Sequence, residues 1–560
     1  MTVSYVIGID FGTDSVRTVL SDTATGREVA TDIFAYPRWA KGRYCDPSLN
    51  QFRQHPLDYL EGLKQTVRNT LAKGPNGCAG RIKAISVDTT GSTPAAMDRD
   101  GNILALRPDF ADNPNAMFIL WKDHTAVAEA EEINRISRTW GGIDFTRYCG
   151  GVYSSEWFYA KILHTLRLDE AVRREAFTWV EHCDWIPAVL TGTTAPSLLK
   201  RGVCAAGHKA MWHDSWGGLP SDAFFQALDP LLAGLRQRLY KRTYTADQAA
   251  GGLSDDWARE LGLPPRTPVG IGAFDAHMGA VGGGIKPYRF IRVIGTSTCD
   301  MLIAPPEEVG DTQVRGICGQ VDGSIVPGMI GMEAGQSAYG DIYAWFRDLL
   351  LWPVRLLGES DHLTPQTAEA LAEELFDRLM PALSEAAAKI PIGESGIGAV
   401  DWLNGRRTPD ANQALKGALT GLQLGSDAPR IFRALVEATA FGGKAIVERF
   451  LTEGIPIKEV VAIGGVARKS PFAMQVLADV LNMEIQVAKS EQTVALGAAM
   501  FAAVVGGVFD NIAEAQAAMG CGIETVYRPI ADNVDRYRPL WDAYRNIGDF
   551  IETELTRGER

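Results

Sequence analysis

Tyr5-Val-Ile-Gly-Ile-Asp10 is a short apolar run that ends on a carboxylate, and Phe11-Gly-Thr-Asp-Ser15 then makes a small polar turn before a second apolar run, Val16 to Asp22. Short Val- and Ile-rich runs bounded by Gly, Ser and Asp read as strands joined by turns. Thr23-Ala-Thr-Gly26 forms another turn and Glu28 to Tyr36 a third strand, so the chain opens as an antiparallel meander. The same grammar returns much later, in Arg289-Phe-Ile-Arg-Val-Ile294, Gly295-Thr-Ser-Thr298 and Cys299-Asp-Met-Leu-Ile-Ala304. Gly12-Thr13 and Gly295-Thr296 are about half a chain apart, which predicts an α/β protein of two related halves facing each other across a cleft.

The rest of the chain is compatible with that reading. With 560 residues, 46% apolar and 22% charged, it is too long for a single small binding module and too apolar for general disorder. The 55 Lys plus Arg against 68 Asp plus Glu leave a formal charge of −13, which repels nucleic acid and anionic membrane. Eight cysteines without a C-x-x-C fit neither a disulfide framework nor a zinc cage, and suit a reducing cytoplasm. Met1-Thr-Val-Ser-Tyr5 enters the first strand with no signal-peptide pattern. Gln492 to Phe509 is long and uncharged, but rich in Ala and Gly, and reads as a buried helix rather than a membrane span.

Several sites combine glycine with polar groups. The Phe11 to Ser15 loop offers consecutive backbone N–H groups and the hydroxyls of Thr13 and Ser15, with Asp10 placed to hold a metal ion beside bound phosphates; an ordinary hairpin turn with a solvated Asp fits the same residues. Arg81 to Val87 reads as a strand ending in Asp88-Thr-Thr-Gly-Ser-Thr-Pro94, and Glu459-Val-Val-Ala-Ile463 runs into Gly464-Gly465 and a helix from Ser470 to Leu481. No Walker A motif and no Rossmann fingerprint is present: Gly464-Gly-Val-Ala-Arg-Lys-Ser470 has Arg468 where the second glycine belongs. Asp275, in Gly270-Ile-Gly-Ala-Phe-Asp275-Ala-His-Met-Gly-Ala-Val-Gly-Gly-Gly284, ends an apolar strand amid small residues, where it could take a proton from an attacking hydroxyl or cap the following helix. His277 is either a second polar contact there or structural. Trp121-Lys-Asp-His124, Tyr153-Ser-Ser-Glu156, His208-Lys209 and Glu333-Ala-Gly-Gln336 have the mixture of aromatic and charged groups found in sugar sites and, equally, on surfaces. Glu333 also fits the cap of a helix beginning there. His208 and His213 have no carboxylate at helical spacing, which speaks against zinc.

Gly8-Ile-Asp-Phe-Gly-Thr-Asp-Ser15, Gly272-Ala-Phe-Asp275, Val293-Ile-Gly-Thr-Ser297, Trp402-Leu-Asn-Gly-Arg-Arg-Thr-Pro409 and Gly464-Gly-Val-Ala-Arg-Lys469, in this order, make the chain resemble the FGGY carbohydrate kinases over nearly its whole length. Tyr36-Pro-Arg-Trp39, Asn113-Pro-Asn-Ala-Met117, Leu120-Trp-Lys-Asp-His124, Gly207-His-Lys209 and Gly331-Met-Glu-Ala-Gly-Gln336 are similar to the branch that acts on L-ribulose in L-arabinose catabolism. The resemblance implies two actin-like, ribonuclease-H-like domains, 1–284 and 285–560, with a catalytic cleft between them. It implies ATP and Mg²⁺ as cofactors and a ketopentose phosphorylated on its terminal hydroxyl. It makes Asp275 the catalytic base and Asp10 the metal-associated carboxylate. Thr13, Ser15, Gly295 and Thr296 become the phosphate loops, and Gly465 and Lys469 the nucleotide side. Ala96, Trp121, Tyr153, Lys209 and Glu333 become sugar contacts. Where related kinases carry an Arg-Glu pair this chain has Gly91-Ser92, which leaves backbone groups near Thr93 to Ala96 to meet the sugar. A homodimer is the family expectation. The alternatives are another pentulose or pentitol kinase, or an actin- or chaperone-like ATPase without sugar chemistry.

Overall fold

The opening strands are where the residue pattern puts them. In a computed structural model describing residues 4–359 and 362–558, Tyr5–Phe11, Ser15–Asp22 and Glu28–Ala35 form an antiparallel meander. Met1, Thr2 and Val3, on which part of the leader argument rests, lie outside the described residues. Strand Ile82–Thr89 adds parallel to the first strand, and Pro268–Gly270 and Ala273–Phe274 add parallel to Ile82–Thr89.

Two compact units are present: Met1–Pro287 with Met301–Glu333 and Gln492–Gly522, and Tyr288–Asp300 with Ala334–Glu491 and Ile523–Arg560. The chain first passes from the first unit to the second after Pro287. The return of residues 301–333 and 492–522 to the first unit has no counterpart in a single division.

The apolar run near residue 500 belongs to the first unit. It is helix Thr493–Val505, almost wholly buried, packed on strand Tyr5–Phe11 and on helix Asp275–Gly282. The two helices touch through glycine: a Cβ at Gly282 would fall 1.8 Å from the Thr493 carbonyl oxygen, and one at Gly497 1.8 Å from that of Met278. Backbones this close exclude side chains, which accounts for the Ala/Gly composition. No helix among the described residues is long and apolar enough to cross a membrane.

In the second unit, Arg289–Ile294 and Glu459–Ile463 are parallel neighbours with Val293 opposite Ile463; Ile485–Ala488 continues the parallel run and Ile523–Tyr527 closes it antiparallel. The helix expected over residues 470–481 is Pro471–Leu481, and a short helix, Gly465–Lys469, precedes it. Ser470 separates them because its hydroxyl accepts the Ala473 N–H, and Pro471 is suited to a first helical position.

Candidate active site

In the first unit, sheet register brings three carboxylates together. Asp10 lies opposite Asp88 across a parallel pair, and Ala273, two residues before Asp275, lies opposite Asp88 on the other side. All three are therefore at the carboxyl ends of adjacent strands, where ligands of open α/β sheets bind. Arg17, the antiparallel partner of Asp10, places a guanidinium 3.8 Å from its carboxylate.

Burial raises the Asp10 carboxyl above the ordinary range against the pull of Arg17. Asp88 is held well above it, by burial first and then by the charges of Asp10 and Asp275. Neither oxygen of Asp88 has a hydrogen-bond partner among the described residues. Asp275 is pushed up to about 7, mainly by burial and next by Asp10, with the Ala276 N–H opposing. Three crowded acids that cannot all ionise at low cost call for a cation or a proton acceptor role.

The Gly12 to Ser15 turn closes through Gly12 N–H to Ser15 O, 3.0 Å. Trp121 donates its indole N–H to the Thr13 hydroxyl over 3.0 Å, and Trp39 donates to Asp14 over 2.7 Å, so aromatic side chains brace the loop from outside. A Cβ on Gly12 would meet only Ser15 O, at 3.4 Å. The fold itself thus leaves space at this glycine, as close approach by a ligand requires.

Lys209, at the end of helix Val203–Lys209, donates from Nζ to Glu333 Oε1 over 2.6 Å, both side chains being buried. The ammonium also lies 5.0 Å from the centre of the Trp157 ring. Glu333 sits in strand Ile330–Ala334, pairing with Gly319, which corrects the alternative that it caps a helix. The Tyr153 hydroxyl donates to the Lys209 carbonyl and accepts the Tyr159 N–H, so it braces Lys209 rather than offering its proton to a ligand. Ala96 lies in strand Pro94–Met97 opposite Trp179 of Thr178–Glu181. The approach to that strand is fixed by Glu181, whose carboxylate accepts the Ser92 hydroxyl and the Thr93 N–H, the latter at 2.7 Å.

In the second unit, Gly295-Thr296 and Gly464-Gly465 leave the ends of neighbouring parallel strands. The Thr296 carbonyl accepts the N–H groups of Tyr339 and Asp341, while its side chain stays exposed. Gly464 takes φ +96°, and Gly465 would have nothing within 4 Å of an added Cβ. Lys469 is exposed at the last position of the short helix.

Residues 5–282 match the N-terminal domain of the FGGY family of carbohydrate kinases, and residues 291–505 match its C-terminal domain. The chain belongs to the FGGY family of carbohydrate kinases. This kinase is 50% identical to a ribulokinase of Vibrio parahaemolyticus, over 98% of its own length and 96% of that protein's. It is 38% identical to a ribulokinase of Shouchella clausii, over 98% and 95% of the two. Its fold is similar to that of a xylulose kinase from Rhodospirillum rubrum, with a TM-score of 0.76 at 19% identity over 99% and 100% of the chains. A gluconate kinase from Lactobacillus acidophilus gives 0.73 at 20% identity, over 98% of each. As a carbohydrate kinase it transfers phosphate to a sugar hydroxyl.

Two features of this FGGY kinase escape a reading by motif. Asp88 becomes the partner of Asp10 only through register; its one signal is a carboxylate at a strand end. His208 has His277 and Glu333 as neighbours, not His213. Burial lowers the pKa of the His208 imidazole well below the ordinary value, and that of His277 to about 4, so both are neutral near pH 7.

Proposed function

We propose that this kinase uses ATP to phosphorylate L-ribulose on its terminal hydroxyl, giving L-ribulose 5-phosphate and ADP. The observation that carries the chemistry is Asp275: a strand-end carboxylate with a pKa of about 7 beside two further acids. The choice of L-ribulose is supported by 50% identity to a ribulokinase over nearly the full length of both chains.

In this reading the Asp275 carboxylate accepts the proton of the terminal hydroxyl as that oxygen attacks the γ-phosphorus. The bond from phosphorus to the β–γ bridging oxygen breaks and ADP leaves with the electron pair. Lys209 and Glu333 bind the sugar's other hydroxyls, the backbone around Ala96 approaches it, and Tyr153 and Trp121 hold Lys209 and Thr13 in place. Thr13 and Ser15 of the first unit, and Gly295, Thr296, Gly465 and Lys469 of the second, take the phosphates and nucleotide. Asp10 and Asp88 fit the Mg²⁺ that accompanies ATP, since Asp88 is buried with both oxygens unpartnered; the ion would neutralise phosphate charge.

A coupled ADP-release assay over a panel of pentuloses and pentitols tests the proposal. L-ribulose should give the highest kcat/KM. ATP turnover indifferent to every sugar would sink it in favour of an ATPase without sugar chemistry.

A further inference from the structure

Three buried side chains of the first unit point unpartnered ligand atoms at one another. Glu333 Oε2 lies 3.5 Å from His208 Nδ1 and 3.6 Å from His277 Nε2, and the three ligand atoms lie within 4.8 Å of one another. None of the three has a hydrogen-bond partner among the described residues. The side chains are 0%, 2% and 8% exposed for His208, His277 and Glu333.

The proton inventory sharpens the difficulty. When Ser324 donates its hydroxyl to Val321 O, over 3.2 Å, its Oγ accepts from His208 Nε2–H over 3.0 Å. A neutral imidazole carries one N–H, which makes His208 Nδ1 a bare lone pair facing a carboxylate oxygen. Lys209 holds the other oxygen, Oε1, over 2.6 Å. Two acceptors facing each other at 3.5 Å need a positive centre or a donor between them.

The two Glu333 edges admit a metal ion. With metal bonds of about 2.0–2.1 Å, edges of 3.5 and 3.6 Å subtend roughly 113–128° at the ion, somewhat wider than tetrahedral, and binding would draw the two histidine nitrogens to within about 4.2 Å of each other. His208 already has the outer hydrogen bond that fixes the tautomer of a metal-binding imidazole.

We propose that His208 Nδ1, His277 Nε2 and Glu333 Oε2 form a binding site for a borderline divalent transition ion of the zinc class. It is separate from the Mg²⁺ carboxylates, being built of two imidazoles and one carboxylate where Mg²⁺ prefers oxygen alone. Because the reading above gives Glu333 to the sugar, ion and sugar exclude each other; that clause alone rests on the sugar reading.

The test is equilibrium dialysis of the chelator-treated full-length protein against ZnCl₂ and CoCl₂, without nucleotide. One ion per chain is expected, with the strong visible absorption of tetrahedral Co²⁺. His277→Gln and His208→Gln, shown folded by circular dichroism, should each weaken binding at least ~10-fold, whereas His164→Gln should not. Absence of saturable binding, or binding unchanged in both site variants, overturns the site. Displacement of the ion by L-ribulose supports the site and the sugar reading together. Binding that is lost in the site variants yet indifferent to the sugar supports the site and removes Glu333 from the sugar.

Discussion

Asp10 and Asp88 are register partners on parallel strands, so two carboxylates that are far apart in the chain end side by side, Asp88 buried and Asp10 half-buried. Arg17 gives Asp10 a counter-charge, and Asp88 has none in hydrogen-bond contact. Asp88→Asn should therefore raise thermal stability, by removing a repulsion, while weakening Mg²⁺-dependent turnover. Melting temperature measured beside the Mg²⁺ dependence of kcat checks both halves.

Asp275→Asn preserves shape and removes the proton acceptor. Turnover should fall by about 10²–10⁴-fold, the usual worth of general-base catalysis, with circular dichroism and nucleotide binding unchanged. Near-normal kcat in a folded variant would take Asp275 out of this role.

The Asp275 carboxyl, held up to about 7, sets a pH dependence. As a base it must be ionised, so kcat/KM should rise with pH to about 7 and then level off. Stability runs the other way. An unfolded Asp ionises near ~3.9, so the folded chain retains a proton there that the unfolded chain has lost, and the stabilisation present at low pH is lost as pH rises to about 7. Asp275→Asn should thus melt higher than the parent at pH 8, with the gap closing towards pH 4.

Glu333→Ala should lower kcat/KM for L-ribulose at least ~10-fold, equivalent to ~1.4 kcal/mol, and leave the KM for ATP nearly unchanged. It also breaks the buried Lys209–Glu333 pair, which commonly costs about 3–5 kcal/mol of stability. Glu333→Gln keeps an acceptor for Lys209 and separates the two effects: sugar use should still fall while most of the melting temperature returns.

Tyr153→Phe removes the hydrogen bond to the Lys209 carbonyl and leaves the Tyr159 N–H without its acceptor. A loss of about 1–3 kcal/mol in denaturant unfolding is expected, together with a raised KM for the sugar. An unaltered sugar KM would show that Lys209 needs no such brace.

How much of this could be read from the chain depends on how local each signal is. The opening meander, the strand before Gly295 and the Ala/Gly helix all declare themselves in a few adjacent residues. Asp275 is legible because small residues crowd it on both sides. Asp88 is not, because a carboxylate before Thr89-Thr90 reads as a turn until the Asp10 register is known. Glu333 misleads in the same way. Followed by Ala334 and Gly335 it looks like a helix start, whereas it is held in a hairpin by the Cys318 N–H that donates to its carbonyl. The histidine cluster is assembled from three separated segments and leaves no spacing to find.

The interlock of Gly282 with Thr493 and of Gly497 with Met278 has a consequence for how the protein is made. The first strand is synthesised early, yet the helix that covers it, Thr493–Val505, comes from the last part of the sequence. On a ribosome adding about 5–20 residues per second, strand Tyr5–Phe11 waits roughly 25–100 s and helix Asp275–Gly282 roughly 11–45 s for their final cover. During that interval the nascent chain exposes an apolar sheet face, so ribosome-bound chains arrested before residue 493 should engage chaperones and be cleaved readily by protease, and those arrested well beyond residue 505 should resist.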